Sequence, residues 1–285
     1  MSRVTFLTGR GGLPKLEIAT AWSTAEIYLH GAHVTRFQET GQPPLLFLSD
    51  QSRFEPNVPI RGGIPIIFPW FGKPADKPAQ HGFARNRSWA VKEIASPATG
   101  ITTVRLVLPP CPELGDGNIA LEYAVTVSEN LSAELVVTNR SARAYAFETC
   151  LHTYFTVGDI NTLEVLGLQG VDYLDSLDAH RRKTEAGAAI RFAGEVDRTY
   201  VNTPHRVEIH DAALHRVIRV EKIGSASTVV WNPWIAKAKA MPDFGNAEYQ
   251  RMVCVETGNV AENQITLAPG ATASLTVKLS SEPSR

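Results

Sequence analysis

The chain has 285 residues, 44% hydrophobic and 20% charged, so it can bury a sizeable core and is not a disordered polymer. Its 28 Lys and Arg stand against 29 Asp and Glu, and a net charge of -1 gives no support to a nucleic-acid footprint or a polybasic membrane patch. Three cysteines, Cys111, Cys150 and Cys254, form an odd set without CxxC spacing, which argues against a disulfide framework or zinc knuckle and fits a reducing compartment.

The first residues, MSRVTFLTGRGGLPK, lack the apolar stretch of a signal peptide. No apolar run approaches the roughly 18–20 residues that a membrane helix needs. A cytoplasmic protein is expected. From there, period-2 alternation rich in Val, Ile, Thr, Tyr and Phe predicts strands over 26–38, 101–108, 121–129, 131–139 and 145–157. The series continues over 206–211, 215–224, 227–233, 252–258 and 272–281. Strands 131–139 and 145–157 read as an antiparallel pair joined around Asn139–Ala144. Helical windows are few, with AEYQRM at 247–252 the best of them. Many short strands without a linker or repeat imply an all-β protein, a large antiparallel β-sandwich, as a single domain over 1–285.

Six stretches carry chemical potential. PIRGGIPIIFPWFG, Pro59 to Gly72, is too proline-rich for a core strand and too apolar for a solvated loop. It reads as a rigid pocket wall with Arg61 at its head, glycines that let backbone approach a ligand, and Trp70 or Phe71 offered to a ring. QHGFARNRSW adds Gln80, His81, Arg85 and Arg87. Guanidinium groups of Arg61 and Arg85, if they converge, would match a phosphate monoester; separate surface positions are the alternative. ETCLHTYF places His152 in an apolar setting, where it is either a core residue or an acid–base group. MVCVETGNV ends an apolar strand on Glu256, a carboxylate that must be paired or functional if buried. GEVDRTY offers Asp197 to a turn or to sugar hydroxyls, and VVWNPW offers Trp231 and Trp234 to a sugar face or to the core. His30 and His33, at i and i+3 on a strand, fall on opposite faces and make an improbable metal site.

In this order, the segments PIRGGIPIIFPWFG, QHGFAR, HTYF, VDRTY, WNPW and VCVETGNV resemble the D-hexose-6-phosphate mutarotases, or glucose-6-phosphate 1-epimerases, of the aldose 1-epimerase superfamily. The resemblance implies a galactose-mutarotase-type β-sandwich that interconverts α and β anomers of a hexose 6-phosphate without cofactor or metal. It implies His152 and Glu256 as catalytic residues and Arg61, Gln80, Arg85 and Asp197 as substrate contacts. His81 joins them as a candidate contact. The expected partner is a small phosphorylated sugar, with a monomer preferred over an oligomer. The mechanism expected is a base, ionised Glu256, at the C1 hydroxyl and an acid, protonated His152, at O5 on the opposite side of the reacting centre. Two rival readings are an epimerase of free aldoses and a non-catalytic carbohydrate-binding sandwich, which would not need both His152 and Glu256.

Overall fold

A computed structural model describes residues 2–97, 100–115, 117–203 and 206–284. Leu131–Asn139 shows why the strands form: Leu131, Ala133, Leu135, Val137 and Asn139 are buried, and the residues between them face outward. That strand lies in a nine-stranded antiparallel sheet with Ala189–Ile190, Leu163–Leu166, Arg206–Asp211, Arg216–Ile223, Thr272–Pro283, Ile119–Val127, Thr102–Val107 and Ala90–Ala95. A second antiparallel sheet of eight strands runs from Arg181–Thr184 through Asp172–Asp175, Val196–Val201, Ser227–Asn232 and Met252–Asn259. It ends on Thr149–Leu151 and Ile66–Ile67, with Tyr154–Thr156 also paired to Met252–Asn259. Residues of both sheets, such as Leu135 and Val277 from one and Val230 and Val255 from the other, share one apolar core. The large antiparallel β-sandwich is therefore the architecture of this chain.

Met252–Asn259 departs from alternation. All eight residues are buried, because this central strand is covered on both faces. Glu256 is carried there at 1% exposure.

Four features differ from the sequence reading. Residues 26–38 form two strands, Ser23–Tyr28 and His33–Glu39, that pair as a hairpin with its turn at His30–Ala32, where Ala32 adopts φ 47°. Residues 145–157 break into Tyr145–Phe147, Thr149–Leu151 and Tyr154–Thr156. The break lets the chain change sheets: the first piece pairs with Ile265–Leu267 and the second with Met252–Asn259. Leu131–Asn139 consequently does not pair with Tyr145–Phe147, because the Asn139 amide, tied to Arg143 O and Leu267 O, turns the chain away. The α-helix among the described residues is Trp234–Ala240, and 247–252 supplies only a 3-10 turn, Glu248–Arg251. Two amino-terminal strands, Arg3–Thr8 and Pro14–Ala19, complete a four-stranded sheet with the 23–39 hairpin. Among the described residues, no helix is long and apolar enough to cross a membrane.

His30 and His33 are occupied by scaffold: each Nε2 lies 2.7 Å from a backbone carbonyl, of Val58 and Gly62 respectively. Full burial pushes the His33 pKa down to about 3. The unfolded imidazole titrates near 6.5, so protons bind the unfolded chain preferentially between those values. Stability from His33 is whole above pH 6.5 and is lost as pH falls toward 3, by up to about 1.4 kcal/mol per unit. Thermal midpoints measured from pH 7 to pH 5 should fall, and less steeply in His33→Gln; identical slopes would contradict the assignment.

Candidate active site

The two motif segments that flank residue 75 are stitched to each other. Phe83 N–H donates to Phe68 O at 2.9 Å, and His81 N–H donates to Gly72 O at 2.6 Å. Gly82 permits this contact: at φ 67° its missing Cβ would lie 1.9 Å from Phe68 O. Gly63 works likewise, with Val34 O 2.2 Å from its would-be Cβ. The Gly62-Gly63 pair thus approaches the chain's own backbone, not a ligand as the sequence suggested.

On the other side, the eight-stranded sheet presents Tyr154, Asp197, Thr199, Val229, Trp231 and Glu256. Between the sheet and the stitched segments lies a cavity of about 560 Å³, a size suited to a small ligand. Arg61, Gln80, His81, Arg85, His152, Asp197 and Glu256 all line it. The candidates, spread over nearly 200 residues of sequence, are brought together.

His152 follows Thr149–Leu151, and its backbone N–H donates to Pro65 O at 3.0 Å. The ring stacks on Tyr154 at 4.8 Å and 10°, and stands edge-on to His81 and Trp231. Its Nε2 is 3.2 Å from Glu256 Oε1. The two groups are therefore in direct contact rather than on opposite sides of an empty centre. The Cys150 thiol, 3.4 Å from Oε2, donates to the same carboxyl.

Burial raises the Glu256 pKa well above the carboxylate range, and burial with nearby His81, Arg85 and Arg61 pushes His152 well below 6.5. A desolvated pair prefers to be neutral, with the carboxyl proton shared toward Nε2. The ionised Glu256 and protonated His152 expected for the reaction therefore differ from the state that burial favours in the ligand-free protein.

His81 is held at φ 63°. Its Nδ1 accepts from Gly72 N–H at 3.1 Å, and its Nε2 lies 3.0 Å from the Gln80 side-chain amide. Burial, then Arg85 and Arg61, lowers its pKa well below 6.5.

The arginines differ. Arg61 donates to both oxygens of Asp243 at 3.0–3.3 Å and to the Tyr154 hydroxyl at 3.1 Å. Its charge is already balanced. Arg85 is 8% exposed and donates to Gln80 O at 2.9 Å, and its Nε has no partner. No ion pair to Arg85 occurs among the described residues. Burial, then the Arg61 charge, lowers its pKa to about 10, which still leaves it cationic at neutral pH.

Asp197 lies 3.7 Å from Lys237 Nζ, which also binds Glu195 at 2.8 Å. Of the aromatics, Phe71 and Trp231 line the cavity. Trp70 instead donates to Ala79 O and bridges the loop, and Trp234 packs against Tyr249.

Several positions that build the cavity or hold its arginine escaped the sequence reading. Tyr154 was within reach, since i+2 from His152 shares a strand face. Asp243 and Glu148 were not, because their roles depend on long-range contacts. Glu148 accepts from Phe71 N–H and Ala261 N–H, clamping the wall to the end of the Met252–Asn259 strand.

His152, Cys254 and Glu256 gather an imidazole, a thiol and a carboxylate within 4.8 Å of one another. Burial raises the Cys254 thiol pKa well above 9.0, which opposes the deprotonation that a thiolate ligand requires.

Residues 14–280 match the family described as aldose 1-epimerase. A protein of Cenchrus ciliaris, provisionally named a glucose-6-phosphate 1-epimerase, is 41% identical over 96% of this chain and 86% of its own length. A protein of Escherichia coli K12 with the same provisional name is 33% identical over 84% of this chain and 81% of its own. Among solved structures, a provisionally identified mutarotase from Salmonella typhimurium superposes with a TM-score of 0.91 at 27% identity, covering 98% of this chain and 94% of that one. The chain belongs to the aldose 1-epimerase family, whose enzymes are isomerases of sugars.

Proposed function

We propose that this protein interconverts the α and β anomers of a hexose 6-phosphate, with glucose 6-phosphate the leading substrate. The observation that carries the reading is Arg85, a buried guanidinium that opens onto the cavity without a counter-ion among the described residues. A buried cation of this kind is stabilised by an anion with paired acceptor oxygens. Lys73, exposed at the rim, adds positive charge to the same cavity. Asp197 and Gln80 offer hydrogen bonds to ring hydroxyls. The relatives' names point to the same substrate class.

Anomer exchange breaks C1–O5, turns C1–C2 and recloses the ring. The C1 hydroxyl loses a proton and O5 gains one, so a pair holding one mobile proton suffices. The His152–Glu256 contact is such a pair. A substrate dianion brought beside His152 favours the imidazolium, so the proton moves from Glu256 to Nε2. Glu256 then takes the C1 hydroxyl proton and His152 gives its proton to O5; reclosure on the other face reverses both steps. No cofactor enters this balance. The shared apolar core supports reading 1–285 as one folding unit.

The test is the rate of anomer exchange of glucose 6-phosphate by exchange NMR. Catalytic amounts of protein should accelerate it; an unchanged rate contradicts the reading.

A further inference from the structure

A phenol has one proton to give and two lone pairs to receive with. At Tyr154 one lone pair is used, because Arg61 Nη1 donates to the oxygen at 3.1 Å. The hydroxyl proton has no acceptor among the described residues. The ring cannot turn to find one: His152 stacks on it, Trp231 stands edge-on at 6.0 Å, and its backbone is tied to Gly63 and Phe47. It is 1% exposed and lines the cavity. A rigid donor without an acceptor thus borders the ligand space, beside the imidazole.

We infer that Tyr154 is a further catalytic residue, whose hydroxyl donates a hydrogen bond to O5 of the sugar as the C1–O5 bond breaks. The inference rests on the anomerisation reading above. Ring opening moves the C1–O5 electron pair onto O5. His152 delivers the proton that completes the hydroxyl, and Tyr154 keeps its own, so the proton balance is unaltered. The two rings stack, and both residues line the same cavity. Arg61 polarises the phenol, and Asp243 holds Arg61 in place through both carboxylate oxygens. Burial raises the Tyr154 pKa, so the phenol remains a donor at neutral pH.

Tyr154→Phe keeps the stacked ring and removes the donor. It should lower kcat for glucose 6-phosphate about 10²-fold, as loss of one donor aimed at developing charge does, with little change in KM. Installing 3-fluorotyrosine at 154 separates donation from anchoring. The more acidic phenol is a better donor and a poorer acceptor, so kcat at or above native supports donation to substrate. Native kcat in Tyr154→Phe, or a fluorotyrosine variant as slow as the phenylalanine one, overturns the inference while leaving the anomerisation reading intact. A native protein that fails to accelerate exchange overturns both.

Discussion

Replacing His152 by Asn or Glu256 by Gln is expected to lower kcat by at least ~10²-fold, with KM for the sugar phosphate little changed. Each substitution keeps shape and some hydrogen bonding but removes the capacity to carry the mobile proton. In the proposed mechanism the two groups, 3.2 Å apart, share one proton and work as a unit. The double variant should therefore cost about as much as either single one. The pH profile of kcat/KM, which reports the ligand-free protein, should be bell-shaped, with two apparent pKa values that belong to the pair. Its acidic limb is the gain of a second proton. Burial disfavours that charge on His152, so the limb should lie below 6.5, and activity should persist as pH falls past the ordinary histidine value. Near-native kcat in either single variant, or strictly multiplicative losses in the double, would count against the shared-proton pair.

Arg85→Ala is expected to raise KM for glucose 6-phosphate roughly 10–150-fold, the loss of a charged hydrogen bond worth about 1.5–3 kcal/mol. KM for free glucose should change far less, since that sugar brings no anion to Arg85. Arg61→Ala should behave otherwise. It leaves the Asp243 carboxylate, only 12% exposed, without its cation. Breaking a buried pair costs about 3–5 kcal/mol, and the partial exposure here places the loss toward the lower end. Arg61→Ala should therefore depress the thermal midpoint and activity on both sugars together. Equal effects of Arg85→Ala on the two sugars would show that Arg85 does not read the phosphate.

The sequence was most legible where local chemistry decides the outcome. Arg206–Asp211 alternates cleanly and forms the strand predicted, and 216–223, 227–232 and 252–259 lie within a residue of the expected bounds. The prolines and glycines of Pro59–Gly72 announced an irregular wall, and only Ile66–Ile67 joins the sheet. The reading failed where distant contacts override local pattern. Nothing in YAFETCLHTYF indicates that Glu148 will be claimed by Phe71 and Ala261 and that the strand will break there. Nothing near Arg61 announces Asp243, 182 residues away, which takes up its guanidinium in an ion pair. The protonation of His152 and Glu256 depends on how fully the fold dries them, which strand periodicity does not encode.

The most direct measurement is exchange NMR on glucose 6-phosphate at anomeric equilibrium, with free glucose in a parallel sample and protein added to each. The account predicts faster exchange for the phosphorylated sugar and little for glucose at the same concentrations. Equal acceleration of both would contradict the role given to Arg85, and binding without acceleration of either would contradict the proton-sharing pair itself.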